Sequence, residues 1–242
     1  NLKYLINLQS QGHFEQALSN ASDLLWSFPN SATLHNICGA ANSGLNRYEA
    51  AIDCYKKSLI IKPRNVETYF NIGIAAMGKG NRDEAIENYK LALEIDPNCV
   101  EAYFCMGSAF TEQGKLDAAL DSYTQALKIE PNNADIHYNM GNILMDQGNL
   151  TAAIKSFQWT LKIQPNHFNA YYNMGNASIN KGDLDGALSI YYQALKIRPD
   201  SAEIYYNMGK ILMDQGNLDA AIDSYKQASK IDPYSAEVVG NM

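Results

Sequence analysis

The chain has no long hydrophobic run, no cysteines at metal or redox spacing, and no surplus of basic residues. Each absence removes a class of protein. No apolar stretch approaches the ~18–20 residues of a membrane-spanning helix, and no signal peptide opens the sequence, so no membrane partner is expected. Lys and Arg number 19 against 26 Asp and Glu, a formal net charge of −7. A nucleic-acid binder shows a basic stripe instead, so no nucleic acid is expected either. Cys38, Cys54, Cys99 and Cys105 show no CxxC pattern and do not recur, which argues against a disulfide framework or a zinc site. They read as free structural thiols, a usage that favours a reducing, cytoplasmic setting. His13, His35, His137 and His167 are equally scattered. No nucleophile accompanies a histidine and an orienting acid, and no glycine-rich phosphate loop appears. The reading is therefore of a non-enzyme without cofactor or metal.

Proline is also scarce, and its placement is the first positive signal. The seven prolines are Pro29, Pro63, Pro97, Pro131, Pro165, Pro199 and Pro233, each 34 residues after the last. The series Gly39, Gly73, Gly107, Gly141, Gly175, Gly209 keeps the same period. So does Gly12, Gly80, Gly114, Gly148, Gly182, Gly216, whose one gap is filled by Asn46, asparagine being the next residue after glycine to tolerate a left-handed backbone. A fixed period of this length signifies an array of repeated units rather than one or two globular domains. The sequence starts and stops inside helical patterns, as an excised piece of a longer protein would.

Each unit reads as helix, tight turn, helix, turn. In the unit around Asp135, Ile136, Met140, Ile143 and Leu144 lie at i, i+4, i+7, i+8, the apolar face of an amphipathic helix. Gly148 ends that helix in left-handed geometry, and Asn149 caps the next, as Asn81, Asp183 and Asn217 do in theirs. The second helix buries Leu150, Ala153, Ile154, Phe157 and Leu161. Lys162 suits the negative end of its dipole, as do Lys128, Lys196 and Lys230, and Pro165 stops it. The mid-helix glycines cost roughly 1 kcal/mol each against alanine. Close approach of one ring per unit (Tyr55, Tyr89, Tyr123, Phe157, Tyr191, Tyr225) offsets that cost, and Ala51, Ala85, Ala119, Ala153, Ala187 and Ala221 permit a tight crossing.

The constellation Tyr171, Met174-Gly175, Gly182, Ala187, Tyr191, Ala194, Pro199 resembles the tetratricopeptide repeat. The resemblance covers the whole chain: a truncated first unit at 1–31, full units at 32–65, 66–99, 100–133, 134–167, 168–201 and 202–235, and the start of another at 236–242. It departs at the front, where Leu5 replaces the helix glycine and Ala21 the packing ring. It implies an all-α solenoid, a right-handed superhelix of antiparallel helix pairs, with first helices lining a concave groove. One pair cannot bury its apolar face alone, so each unit leans on its neighbours.

The face that the family places in the groove carries a row of amides: Asn71, Asn139, Asn173, Asn207 and Asn241, interrupted by Cys105. It resembles the asparagine ladder of the O-linked N-acetylglucosamine transferase superhelix, where amides hold the main chain of an extended peptide. An amide carries donors and an acceptor together and so pairs with a peptide backbone whatever its side chains. Asn142 and Asn176 lie one turn further on. Phe70, Phe104, Tyr138, Tyr172 and Tyr206 stand beside the row, as packing rings or as ligand contacts. The preceding series Tyr69, Tyr103, His137, Tyr171, Tyr205 follows the apolar stripe and reads as structural. Glu67, Glu101, Asp135, Glu203 and Glu237 in first helical turns offset the dipole and form an acidic rim that would favour basic peptides. Met77, Met145 and Met213 read equally as an adaptable apolar strip or as core fillers.

The expectation is a protein-interaction scaffold holding an extended partner segment. Two alternatives stay open. Residues 140–150 and 208–218 differ only at Asn142 against Lys210, so near-interchangeable units would let copies stack head to tail without closing. The opening stretch also looks like the start of arrays in bacterial proteins that join such repeats to sulfotransferase or glycosyltransferase domains, which would make this a substrate-recruiting arm.

Overall fold

The computed structural model describes residues 2–233. The expected stub at 236–242, with Glu237 and Asn241, lies outside them. The chain divides into two compact units, residues 1–131 and residues 132–242. Among the described residues, eight helices fall in the first unit: α1 (Leu2–Ser10), α2 (Phe14–Ser27), α3 (Ala32–Gly44), α4 (Tyr48–Ile61), α5 (Val66–Lys79), α6 (Arg82–Ile95), α7 (Val100–Glu112) and α8 (Leu116–Ile129). Six fall in the second: α9 (Ala134–Asp146), α10 (Leu150–Ile163), α11 (Phe168–Lys181), α12 (Leu184–Ile197), α13 (Ala202–Asp214) and α14 (Leu218–Ile231).

Within each unit the odd-numbered helix pairs with the even-numbered helix that follows, and the even one packs on the next odd one. Odd helices also touch odd helices (α1 with α3, α3 with α5, α5 with α7, and in the second unit α9 with α11), an approach the even helices do not match. The side on which neighbours stand closer is the inner side of a curved stack. First helices therefore line the inner face of each unit.

The glycine-against-ring lock is present in every pair that has the glycine. A methyl group at Gly141 would stand 2.5 Å from Cε1 of Phe157, and one at Gly209 would stand 2.6 Å from Cε1 of Tyr225. The rings are buried at 0–3% exposure, so backbone and ring are in direct contact with no room for a side chain between them. In α1 and α2 the sizes are exchanged: Leu5 and Ala21 are both buried in one cluster. The leucine fills from the first helix the space that the ring fills from the second elsewhere, which conserves volume.

Turn chemistry follows the sequence closely. Gly148 has φ +75°, and Asn46 at φ +58° is the one left-handed non-glycine among the described residues. Asn81, Asn149 and Asp183 accept the backbone N–H of Glu84, Ala152 and Gly186. Asn217 does not follow: it occupies the cap position with no side-chain bond. It is exposed, and water can take up the helix N–H groups there. First helices are capped too, by Ser31, Asn65, Asn133 and His167. Of the apolar stripes, Ile136, Ile143, Ala153 and Phe157 are buried. Met140, Leu144, Leu150, Ile154 and Leu161 are only half-buried, because outer helices and pair edges have fewer neighbours to cover them. No helix among the described residues is long and apolar enough to cross a membrane.

Polar clasps tie one pair to the next along the turns. Lys79 reaches Glu49 at 2.7 Å, and in the same places of later pairs Gln113 donates to Asp83 and Gln215 to Asp185, both at 2.8 Å. Being exposed, they contribute little to stability. Their geometry matters more for register than for stability.

Candidate functional site: the inner face of the first helices

The amide row sits on the first helices, and each unit builds its surroundings somewhat differently. In the first unit Asn71 on α5 and Cys105 on α7 are half-buried. Cys105 packs against the cluster that holds Tyr89, and burial pushes both groups above their ordinary pKa. Phe70 and Phe104 tilt against the core rings Tyr89 and Tyr123, with centroids 5.8 Å apart in both cases. Ser108 Oγ lies 3.0 Å from the Tyr123 hydroxyl.

In the second unit Asn139, Asn173 and Asn207 are half-buried on α9, α11 and α13. Asn173 Nδ2 donates to the Tyr138 hydroxyl at 3.1 Å and to Asn142 Oδ1 at 2.7 Å. Both N–H groups of that amide are thus spent inside the protein, and its Oδ1 remains as the acceptor. Where the core ring is Tyr191 the wiring changes. Its hydroxyl donates to Asn176 Oδ1 at 2.5 Å and receives Asn207 Nδ2 at 3.5 Å. Phe157 has no hydroxyl, which leaves Asn142 available to Asn173. At Asn173 both donors are therefore spent within the protein, because neighbouring first helices bring Tyr138 and Asn142 within hydrogen-bond reach.

The rings beside the row pack inward. Tyr138, Tyr172 and Tyr206 lie 5.9, 6.4 and 5.8 Å from Phe157, Tyr191 and Tyr225. They are half-buried, so each combines packing on the core ring with an open edge. Burial holds the Tyr172 hydroxyl above its ordinary pKa. His137 stacks on Trp159, centroids 5.7 Å apart, and Lys162 stands over the other ring of that contact at 4.3 Å. Glu67, Glu101, Asp135 and Glu203 are exposed in first turns. Met77 and Met145 pack against core clusters, whereas Met213 is exposed.

One feature of the second unit has no counterpart in the expected site. Phe168 and Arg198 line an open cavity of about 750 Å³ at the start of α11 and the end of α12. Neither residue belongs to a periodic stripe. The signal that finds them is their departure from the residues standing 34 positions before and after.

These pairs define an α-solenoid of stacked two-helix units with a polar-aromatic inner face. The chain belongs to the tetratricopeptide repeat family. Family profiles described as TPR repeat match residues 44–80 and 107–148, and profiles described as tetratricopeptide repeat match 66–99, 138–202 and 178–240. The crystal structure of MamA protein is similar at 30% identity, over 71% of this chain and 94% of that one, with a TM-score of 0.66. The C-terminal part of a TPR repeat-containing protein from Cytophaga hutchinsonii has the same fold, with a TM-score of 0.89 over 99% of this chain and 98% of that one at 17% identity. YrrB, described as a TPR protein with an unusual peptide-binding site, matches at 23% identity and TM-score 0.69, covering 78% of this chain and 97% of its own. A comparison with curated proteins returns no match.

Proposed function

We propose that the inner face of the first helices holds an extended segment of a partner protein, and that the chain acts as an interaction scaffold. The observation that carries this is the state of Asn173. Its donors are fixed by Tyr138 and Asn142, which leaves the Oδ1 of this half-buried residue as the group to accept a partner's N–H. A peptide main chain supplies N–H donors at regular intervals without regard to side chain, which suits a row of fixed acceptors. YrrB, of the same fold, is described as having a peptide-binding site. The exposed Glu67, Glu101, Asp135 and Glu203 favour basic residues in the segment, with screening by salt.

A 12-residue peptide selected from a random library on the unaltered chain provides the test. Replacing Asn139, Asn173 and Asn207 together by alanine should weaken its binding by about tenfold or more, each lost hydrogen bond being worth roughly 0.5–1.5 kcal/mol. Helicity should be unchanged. Equal affinity for the triple variant discards the reading.

End-to-end association of copies is a second reading, favoured by exposed apolar residues on α1 and α14. Leu2, Tyr4 and Ile6 are 44%, 48% and 55% exposed, and Leu218 and Ile222 are 61% and 50% exposed. A contact between two different surfaces of this kind propagates without closing. Sedimentation velocity over a wide concentration range should then show steadily rising mass; a constant monomer at the highest concentration rejects it.

A further inference from the structure

The repeat rows single out one end of the first unit. In the last turn of the second helices one row reads Trp26, Ile60, Glu94, Lys128, Lys162, Lys196 and Lys230. Its later members are ordinary solvated charges. Trp26 and Ile60 are instead 89% and 81% exposed, the highest values among the exposed large hydrophobic side chains of the described residues. Just past α2, Phe28 is 60% exposed. α3 packs on both α2 and α4. Short turns precede and follow α3, so α2 and α4 run in the same direction and their C-terminal tips come to one end of the unit. Large apolar side chains gathered in the open mark a contact surface.

Charge at the same tips is equally uneven. Lys56, Lys57, Lys62 and Arg64 are all exposed, and no carboxylate falls between Asp53 and Glu67. None falls between Asp23 and Glu49 either, a span that includes the tip of α2. Later tips mix the signs: Lys90 with Glu94 and Asp96, Lys128 with Glu130, Lys196 and Arg198 with Asp200, while the tip of α10 has Lys162 alone. Lys56 is engaged across the pairs, meeting Glu84 at 3.4 Å. In a chain of net charge −7, this end is positive. Protruding apolar side chains set among long cationic ones match the headgroup and upper acyl region of an anionic bilayer, where rings enter and cations stay at the phosphates. A protein surface would have to offer a recess to each protruding side chain; fluid lipid accepts them without one. Resting on a bilayer needs no spanning helix, so the lack of one among the described residues bears only on crossing it.

We propose that the tips of α2 and α4 form a docking surface for an anionic lipid bilayer, with Trp26, Phe28 and Ile60 entering the interface and Lys57, Lys62 and Arg64 held at the phosphates. Each cation near such a surface adds to binding, and salt screens the attraction. The surface belongs to second helices, apart from the face of the first helices, so the lipid surface and the peptide groove stand or fall separately.

The test uses the whole chain carrying Trp159→Gln, which leaves Trp26 as the sole tryptophan and introduces a residue already present in that row (Gln125, Gln193). Vesicles of phosphatidylcholine and phosphatidylglycerol in equal parts should carry the chain down on centrifugation and shift Trp26 emission to the blue. Brominated acyl chains in the same vesicles should quench it. Vesicles of phosphatidylcholine alone should bind about tenfold more weakly or worse. Lys57→Gln, Lys62→Gln and Arg64→Asn together should lower affinity for the mixed vesicles on the order of a hundredfold. Trp26→Ser with Ile60→Ser, read by centrifugation, should lower it about tenfold or more. The replaced side chains are exposed, and Gln125, Gln164 and Asn98 already stand in the rows of the charge changes, so circular dichroism should be unchanged. No binding to the mixed vesicles, equal binding to the neutral ones, or sedimentation without quenching of Trp26 overturns the assignment. A blue shift that grows with protein concentration alone also overturns it, because the occupant is then a second copy. So does a blue shift produced by acetylated, amidated Glu-Leu-Glu-Phe-Glu-Leu-Glu and not by vesicles, which makes the occupant an acidic protein segment.

Discussion

Phe157→Ala should lower stability by about 3–5 kcal/mol, the usual cost of emptying a fully buried aromatic site. Gly141→Leu alone should also destabilise the chain, because any Cβ there meets the Phe157 ring at 2.5 Å and the backbone of α9 cannot retreat without disturbing α11. The informative case is the double variant. Leu5 on α1 and Ala21 on α2 show the same two positions occupied in reverse and fully buried. Gly141→Leu combined with Phe157→Ala should therefore recover at least half of the summed loss, a coupling of contacting residues read by a double-mutant cycle in urea. Strict additivity would show that the ring and the glycine do not share one space, and the account of the helix lock would fall.

Alkaline pH should unfold the chain earlier than its surface charge suggests. Burial holds the hydroxyls of Tyr55, Tyr89 and Tyr191 well above the ordinary tyrosine range. The sign follows from proton linkage. In the unfolded chain these groups release their protons near pH ~10, while the folded chain retains them, so the unfolded state binds fewer protons and stability falls as pH rises. The contribution is intact below pH ~10 and is lost progressively above it. Three such groups give a slope of about 4 kcal/mol per pH unit, ~1.4 for each. The Cys38 thiol, pushed by burial to about 11, acts in the same direction. Lysine deprotonation contributes in any protein at this pH, so the decisive measurement is a difference. Replacing Tyr55, Tyr89 and Tyr191 together by phenylalanine keeps the rings, as Phe157 does naturally, and should flatten the slope between about pH 9.5 and 11.5. Parallel slopes for the two proteins would contradict the burial argument.

How far the amino-acid order alone reaches can be judged residue by residue. The helix pairs, their turns and the lock between Gly141 and Phe157 were legible because each is a local or fixed-period event: a left-handed residue at Gly148 or Asn46, a cap at Asn149, a ring and a glycine always 16 apart. Helical spacing likewise separates the row of Asn173 from the row of Ile136 and Ile143, both of which are buried. What periodicity cannot report is which polar atoms meet across pairs. The bond from Asn173 to Asn142 exists because Phe157 brings no hydroxyl to that spot, and Asn176 binds Tyr191 instead because a hydroxyl is there. The meeting of Phe168 with Arg198 depends likewise on the end of one helix being folded back over the start of another. The order of residues thus determined the repeat, its helices and the face each residue occupies, since these follow from backbone geometry and near neighbours. Tertiary structure alone decided which donors are already spent and which acceptors remain, because those depend on distances between side chains far apart in the chain.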